Sequence, residues 1–501
     1  MQTVKVLGNY INGKFLRPRG PERKIVSNDP GDAGYRIGSF PVYPRHIDDA
    51  VASAGRAFDD WRRLRHNERA DALRKFAAEV VNHRKELKEL IAAETGKPVW
   101  EAENEVLEVE AQVETEIREG IRSISPFKVG EIRFGIQGSC RFQPLGVMVV
   151  LGSAISPVHL ACSQILPALL SGCSVVFKPS KLVPATGQFI AHLFDEADIP
   201  RGVFNLVQGD AATGWALAAH QDVAGVLFTG SYPAGKRILQ ATTEQPHKLV
   251  ALQMGGVNLG VVLDDADLER AVCENVKGAY LTTGQQYTST GVILVQKSIF
   301  EEFTEKFIKT TQALKIGYAF ERDVFMGPML SASARERLLD LQDRLVRFGA
   351  QVLLKAEPIK RQHPGYYLSP AVFMLKEPAA IDSFRSEGLS FGPDVVLVPF
   401  PEDKQGYNLA ASTRFPFSAA VFTEDHRRFE SWAGELRFGL LNHNLATTDM
   451  SMRLPLCGLD NCGNHRPSGV FAQRNCTFPV ASLKATMPFD PSRLPKNFPG
   501  K

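Results

Sequence analysis

Between residues 46 and 94, apolar side chains recur on one side of a helical repeat. Ile47, Val51, Ala54, Phe58 and Trp61 fall at helical spacing, and Leu73, Phe76, Ala77 and Val80 repeat the pattern after the polar break RHNER. The pattern predicts helices with one buried stripe and solvated charges, followed by an acidic helix from about residue 98 to 124. From Val147 the rhythm changes. VMVVLG, SVVFKPS, VFNLVQG, GVLFTGS and HKLVALQMGG are short apolar runs, and helix-like segments at 185–197, 211–220 and 234–243 lie between most of them. Such alternation predicts a Rossmann-like, doubly wound parallel sheet, which binds ligands outside the carboxyl ends of its strands. FKPS and FTGS fall at those ends.

A second α/β region begins near Gly255, with helices expected at 268–280, 299–314 and 333–348 and strands at GVILV, DVVLVPF and SAAVFT. Segments 132–143 and 475–487 read as β arms outside both cores. The organisation expected is a dinucleotide-binding domain from 1–131 and 144–254 and a catalytic-type α/β domain from 255–440. Residues 441–470 return to the domain interface, and 132–143 and 471–490 form oligomerisation arms. Exposed strand edges usually pair with another chain, so a homo-oligomer is expected.

Composition narrows the class. A chain of 501 residues with 44% apolar and 23% charged residues is an ordinary globular protein. A net charge of +3 leaves no basic surplus for a phosphate backbone, so no nucleic-acid partner is expected. The N-terminus lacks an apolar signal core, and seven scattered cysteines suit reduced thiols, which places the protein in the cytoplasm. Residues 142–177 carry no charge, but Pro144, Pro157, Pro167 and glycines interrupt them; they read as strand, helix and strand, and no membrane is expected. Cys457, Cys462 and His465 superficially suit zinc but are only three donors, so no metal is expected.

LGNYINGKF, ETGKPVWEA, VVFKPS, RGVFNLVQG, LFTGS, MGG, FGP, TRF and GNHRPS occur in that order. With them the chain resembles the aldehyde dehydrogenase superfamily over nearly its whole length, most closely the members acting on succinylglutamate semialdehyde in arginine catabolism. The resemblance implies NAD or NADP as cofactor. It implies that Lys178 holds a ribose hydroxyl and that Gly230 and Ser231 meet the pyrophosphate at a helix N-terminus, with Ser180, Lys181 and Gly235 completing the nucleotide site. Lys181 stands where NAD-type members often carry a glutamate. It either pairs with a 2′-phosphate and tilts preference toward NADP, or is a surface lysine beside the site.

The same resemblance assigns the reacting positions. The family's nucleophile loop, Gly-Gln-Arg-Cys-Thr, aligns with Gly284 to Thr288, so Tyr287 stands at the nucleophile. Gln253 in QMGG stands at the general base, Ile155 in GSAISP at the oxyanion-binding asparagine, and Leu389 in LSFGP at the ribose-anchoring glutamate. A phenol of pKa about 10 is a poorer nucleophile than a thiol of about 8.5, and an amide accepts no proton at neutral pH. His443 is expected to line the substrate tunnel; Arg466 is expected to receive a substrate carboxylate or to make a turn contact. The expectation is a pseudoenzyme that has lost thiol-dependent oxidation and acts as a structural or regulatory subunit or a ligand sensor, either as a homo-oligomer or in a hetero-oligomer with an active homologue. The alternative is an active NAD(P)-dependent oxidoreductase on an aldehyde such as succinylglutamate semialdehyde, using other residues. A reductase or lyase activity needing no covalent intermediate is a third reading.

Overall fold

Residues 3–17, 20, 23–376 and 391–499 are described by a computed structural model. They open with an antiparallel hairpin, β1 (Arg23–Asp29) and β2 (Asp32–Val42), which the sequence pattern did not single out because its outer residues are mixed and exposed. Four helices follow: α1 (His46–Trp61), α2 (His66–Asn82), α3 (Arg84–Thr95) and α4 (Val99–Arg118). Their buried residues include Ile47, Val51, Leu73, Phe76 and Val80, the predicted stripe. Strands β3 (Phe127–Arg133) and β4 (Ile136–Pro144) begin the arm. The arm therefore starts at Phe127, before the boundary expected at 132. Every residue of β3 is exposed, so no buried face marks its start in the sequence.

The first parallel sheet comprises β5 (Val147–Leu151), β6 (Ser174–Lys178), β7 (Phe204–Leu206), β8 (Gly225–Gly230) and β9 (Leu249–Met254). Between them run α5 (His159–Ser171), α6 (Pro184–Glu196), α7 (Ala211–Ala219) and α8 (Tyr232–Thr242). The strand order β7-β6-β5-β8-β9 is doubly wound. Helices cover both faces, which is why these strands read as continuous aliphatic runs instead of alternating ones.

The chain then passes through two glycines into β10 (Asn258–Val262), followed by α9 (Leu268–Tyr280), β11 (Thr290–Gln296), α10 (Phe300–Gln312) and α11 (Ala332–Arg347). Strands β12 (Gln351–Leu354), β13 (Ala371–Met374), β14 (Asp394–Phe400), β15 (Ser418–Phe422) and β16 (Leu440–His443) complete a seven-stranded sheet. Its order is β12-β13-β14-β11-β10-β15-β16, parallel except at the β12 edge. Helices α12 (Asp403–Ala411) and α13 (His426–Glu435) lie between its last strands. Finally β17 (Thr477–Ala485) pairs along β4, giving the arm three strands in the order β17-β4-β3. No helix among the described residues is long and apolar enough to cross a membrane.

Candidate functional site

In the first sheet, β5 has β6 on one side and β8 on the other, so connections leave their carboxyl ends in opposite directions and open a crevice there. A cleft of about 320 Å³ occupies that crevice. Ser153, Ala154 and Ile155, leaving β5, form one wall, and Thr229, Gly230 and Ser231, ending β8, form another. The second sheet closes it through Gln285, Tyr287, Leu330, Arg337 and Phe391.

The β8 wall suits an anion. Ser231 is the N-cap of α8, its backbone carbonyl accepting from the amides of Ala234 and Gly235 at 3.1 and 3.0 Å, while its hydroxyl makes no capping bond. The positive end of the helix dipole thus faces the cleft. Gly235 lies against the side chains of Met254 and Phe228, where a Cβ would clash. Lys178, at the end of β6, is buried, and its Nζ donates to the carbonyls of Pro179 at 2.6 Å and Gly209 at 3.1 Å. Burial pushes its pKa down to about 8, with Lys181 adding to the fall and Asp210 opposing it. Ser180 Oγ accepts from the Leu182 amide at 3.3 Å, and Lys181 is exposed.

The opposite end is packed instead of open. Tyr287 is 8% exposed, its ring edge-on to Phe417 at 5.0 Å and its hydroxyl donating to Met450 Sδ at 3.1 Å. Burial pushes the phenol far above its ordinary pKa, Glu108 adds to the rise and the Gln253 amide slightly opposes it. A phenolate is therefore not available near neutrality. Gln253, on β9, is buried behind Tyr287 and accepts from Ser468 Oγ at 2.5 Å. Ser468 Oγ also lies 3.2 Å from Ser163 Oγ, and Asn464 bonds the backbone of Leu252 and Val250, so the 463–468 loop is tied to β9 at several points. Ile155 presents its aliphatic side chain to the cleft, and its amide donates to Ser153 Oγ at 3.1 Å.

The turn carrying Tyr287 is strained and held. Thr282 and Thr283 adopt φ of 53° and 57°, a left-handed conformation that β-branched residues rarely enter. The Thr282 hydroxyl is bonded to the Glu101 carboxylate and receives Gln286 Nε2 at 2.8 Å, while Thr283 Oγ donates to the Gly327 carbonyl at 3.1 Å. Glu101 belongs to a buried charge cluster on α4. There Lys97 Nζ meets the Glu105 carboxylate at 2.7 Å, and Glu105 also accepts from the Val158 and His159 amides at the start of α5, at 2.8 and 3.2 Å.

The aldehyde dehydrogenase family pattern matches residues 19–478. This chain belongs to the aldehyde dehydrogenase family. It is 33% identical over 481 residues to the N-succinylglutamate 5-semialdehyde dehydrogenase of Paraburkholderia xenovorans, covering 95% of this chain and 96% of that one. It is 31% identical to the Legionella pneumophila protein of the same name, covering 99% and 98%. Among solved structures, the NAD-dependent aldehyde dehydrogenase from Sinorhizobium meliloti superposes with a TM-score of 0.91 at 26% identity, covering 98% and 97%. The lactaldehyde dehydrogenase from Escherichia coli gives 0.89 at 28%, covering 95% and 99%.

On this aldehyde dehydrogenase fold, Ile155, Tyr287, Gly230 and Ser231 meet in one cleft and Gln253 stands directly behind it. Leu389 lies outside the described residues. His443, expected in the substrate tunnel, is not among the residues lining this cleft. It ends β16 on the sheet edge, its ring stacked on Phe429 of α13 at 4.4 Å and its Nε2 3.0 Å from the Thr423 carbonyl. Position next to two asparagines carried no information about which way β16 faces. Arg466 is exposed at a left-handed turn, φ 52°, where its carbonyl accepts from Asn475 at 2.9 Å; its guanidinium does not line the cleft either. Two residues went unnoticed in the sequence. Arg337 reaches the cleft wall from α11 and makes no ion pair among the described residues. Glu105 shares a face of α4 with Glu101, a spacing that was readable but pointed only to a helix.

Proposed function

We propose that this aldehyde dehydrogenase family member keeps the cleft for a dinucleotide and a ligand but does not run a thiol-dependent oxidation in it, serving as a structural or regulatory subunit or a ligand sensor. One observation carries the reading. Among the described residues lining the cleft there is no cysteine, histidine, aspartate or glutamate, and the only titratable side chains are Tyr287 and Arg337. Covalent aldehyde oxidation needs an activated nucleophile and a base within reach. A phenol held protonated by burial supplies neither.

The other end fits NAD or NADP. Ser231 and the first turn of α8 would meet the pyrophosphate, Gly235 would let the helix approach, and Lys178 would hold a ribose hydroxyl. A bound nicotinamide would supply a hydride acceptor, and Ile155 and Tyr287 in the same cleft would shape the space beside it. The arm supports assembly with a second chain, of the same kind or an active homologue. Phe127, Ile132, Phe134 and Leu483 on or beside its strands are all more than half exposed.

A second reading is favoured by the comparisons, which on their own support it better. The relatives that match along the whole chain are named N-succinylglutamate 5-semialdehyde dehydrogenase, so an active NAD(P)-linked oxidation of such an aldehyde by other residues is the competing function. Assay of the purified protein with succinylglutamate semialdehyde and a small-aldehyde panel, with NAD and NADP, separates the two. The first reading expects rates equal to a heat-killed control together with a nucleotide-induced thermal shift. Turnover above that control would establish the second.

A further inference from the structure

We propose that His83, His192 and Glu196 form a binding site for a divalent transition-metal ion on the outer helical layer, away from the cleft. His83 sits at the junction of α2 and α3, ending one helix and starting the next. His192 and Glu196 lie one turn apart on α6, so both side chains leave the same face. One ligand atom from each, all three within 4.8 Å of one another, converges on a single point. Donors around a four-coordinate zinc ion lie about 3.3 Å apart at metal–ligand distances of about 2.0–2.1 Å, so small side-chain rotations bring these three onto one ion, which would take water as its fourth ligand as open three-ligand zinc sites do.

The surroundings are those of a built site. Both imidazoles turn Nε2 toward the Glu196 carboxylate, at 2.6 Å for His83 and 3.3 Å for His192. The other ring nitrogen of His83 is 2.6 Å from Glu86, and an outer carboxylate on the far nitrogen is what orients a metal-binding histidine and raises its basicity. Phe189 stands edge-on to both rings, 5.9 Å from each, at 79° and 88°, which fixes their planes. Glu196 is the last residue of α6, where the helix dipole disfavours a carboxylate and a cation offsets it. His83 is partly exposed and His192 and Glu196 more so, so an ion reaches them from solvent. Two imidazoles and one carboxylate suit zinc, cobalt, nickel or copper better than calcium or magnesium. The ion would clip the α2–α3 junction to α6, against which both α2 and α3 already pack.

The test uses the tag-free, full-length protein titrated with zinc chloride by calorimetry and with cobalt chloride by visible absorbance. One ion per chain, with tetrahedral cobalt bands and a rise in melting temperature, is expected. His192→Ala and His83→Ala should remove the bands and weaken binding by about 100-fold or more, and Glu86→Gln by about 10-fold. His192→Gln, which keeps the side-chain size, serves if an alanine variant loses its far-ultraviolet circular dichroism. Zinc binding of unchanged strength in the histidine variants, or no binding to the wild type at micromolar zinc, would overturn the site.

Discussion

The two ends of the cleft are built from different materials. At the β8 end the useful groups are main-chain amides, a glycine and the direction of a helix, with one lysine held by backbone carbonyls. At the Tyr287 end everything depends on which side chain is present, and those present are used for packing: a phenol on Phe417 and Met450, an amide on Ser468 and an isoleucine facing the cleft. A backbone-made site survives as long as the fold does. A side-chain-made site can be replaced residue by residue while the same strands and turns remain.

The buried acids beneath the two ends sharpen that contrast and set the largest effect. Glu105 faces Lys97 within the protein and caps α5, whereas Glu94 caps α6 through the Ala185 and Thr186 amides, at 2.9 and 2.7 Å, and has no cation partner among the described residues. Removing Glu105 leaves buried Lys97 with Glu101 as a remaining carboxylate but breaks the Lys97–Glu105 pair and uncaps α5, at a cost of about 3 kcal/mol, the low end for breaking a buried pair. Glu105→Ala should therefore lower unfolding free energy in urea by that amount, and Glu94→Ala by about 2 kcal/mol through lost hydrogen bonds. Equal losses would show that the two ends rest on the same kind of support.

Comparable in size is the effect at the reacting end itself. Tyr287→Cys removes a ring from a buried contact and should cost about 3 kcal/mol, within the range for deleting an aromatic side chain. On the reading proposed above it should bring no aldehyde oxidation, because Gln253 and Ile155 remain. A stopped-flow assay that finds NAD(P)H formation in this variant alone would mean that the single tyrosine decides the outcome.

How far the sequence carried this contrast follows from range. The parallel strands were legible because burial on both faces leaves an aliphatic signature within five residues, as in VMVVL and SVVFK, and α9 was legible to its ends because Asp267 caps it and its apolar stripe is regular. The β1–β2 hairpin, β3 and the antiparallel β12 edge were not, since strands with exposed faces lack that signature. At the site, family motifs pointed to Tyr287, Ile155 and Ser231, which line one cleft. They could not show that Gln253 is held by Ser468, or that His443 turns away toward Phe429, because those contacts depend on how loops far apart in the chain meet.

A smaller effect tests whether the β8 end is as described. Lys178 has a folded pKa of about 8, below the ordinary lysine value, so above about pH 8 the folded protein has released a proton that the unfolded chain still holds. The unfolded state binds more protons across that window, and stability from this group rises with pH until the unfolded lysine also titrates. Relative to Lys178→Met, the wild type should gain about 1 kcal/mol between about pH 8 and about pH 9. Taking the difference removes the parallel contribution of Lys248 and the opposite one of Glu116, both of which also titrate near 8 in the fold. A flat difference would place Lys178 in water and weaken its assignment to the nucleotide.

The smallest effect concerns Lys181, exposed on the turn after β6 and close enough to Lys178 to disfavour its charge. If it pairs with a 2′-phosphate, that pair is solvent-screened and worth at most about 1 kcal/mol, roughly a fivefold preference. Lys181→Glu should then weaken NADP against NAD by a few-fold, since the carboxylate both repels the phosphate and accepts from a ribose hydroxyl. Thermal-shift titrations with the two nucleotides at low salt, where screening is least, read the ratio directly. An unchanged ratio would make Lys181 a surface lysine and leave nucleotide choice to the backbone-made wall, where Gly230 and Ser231 cannot tell the two cofactors apart.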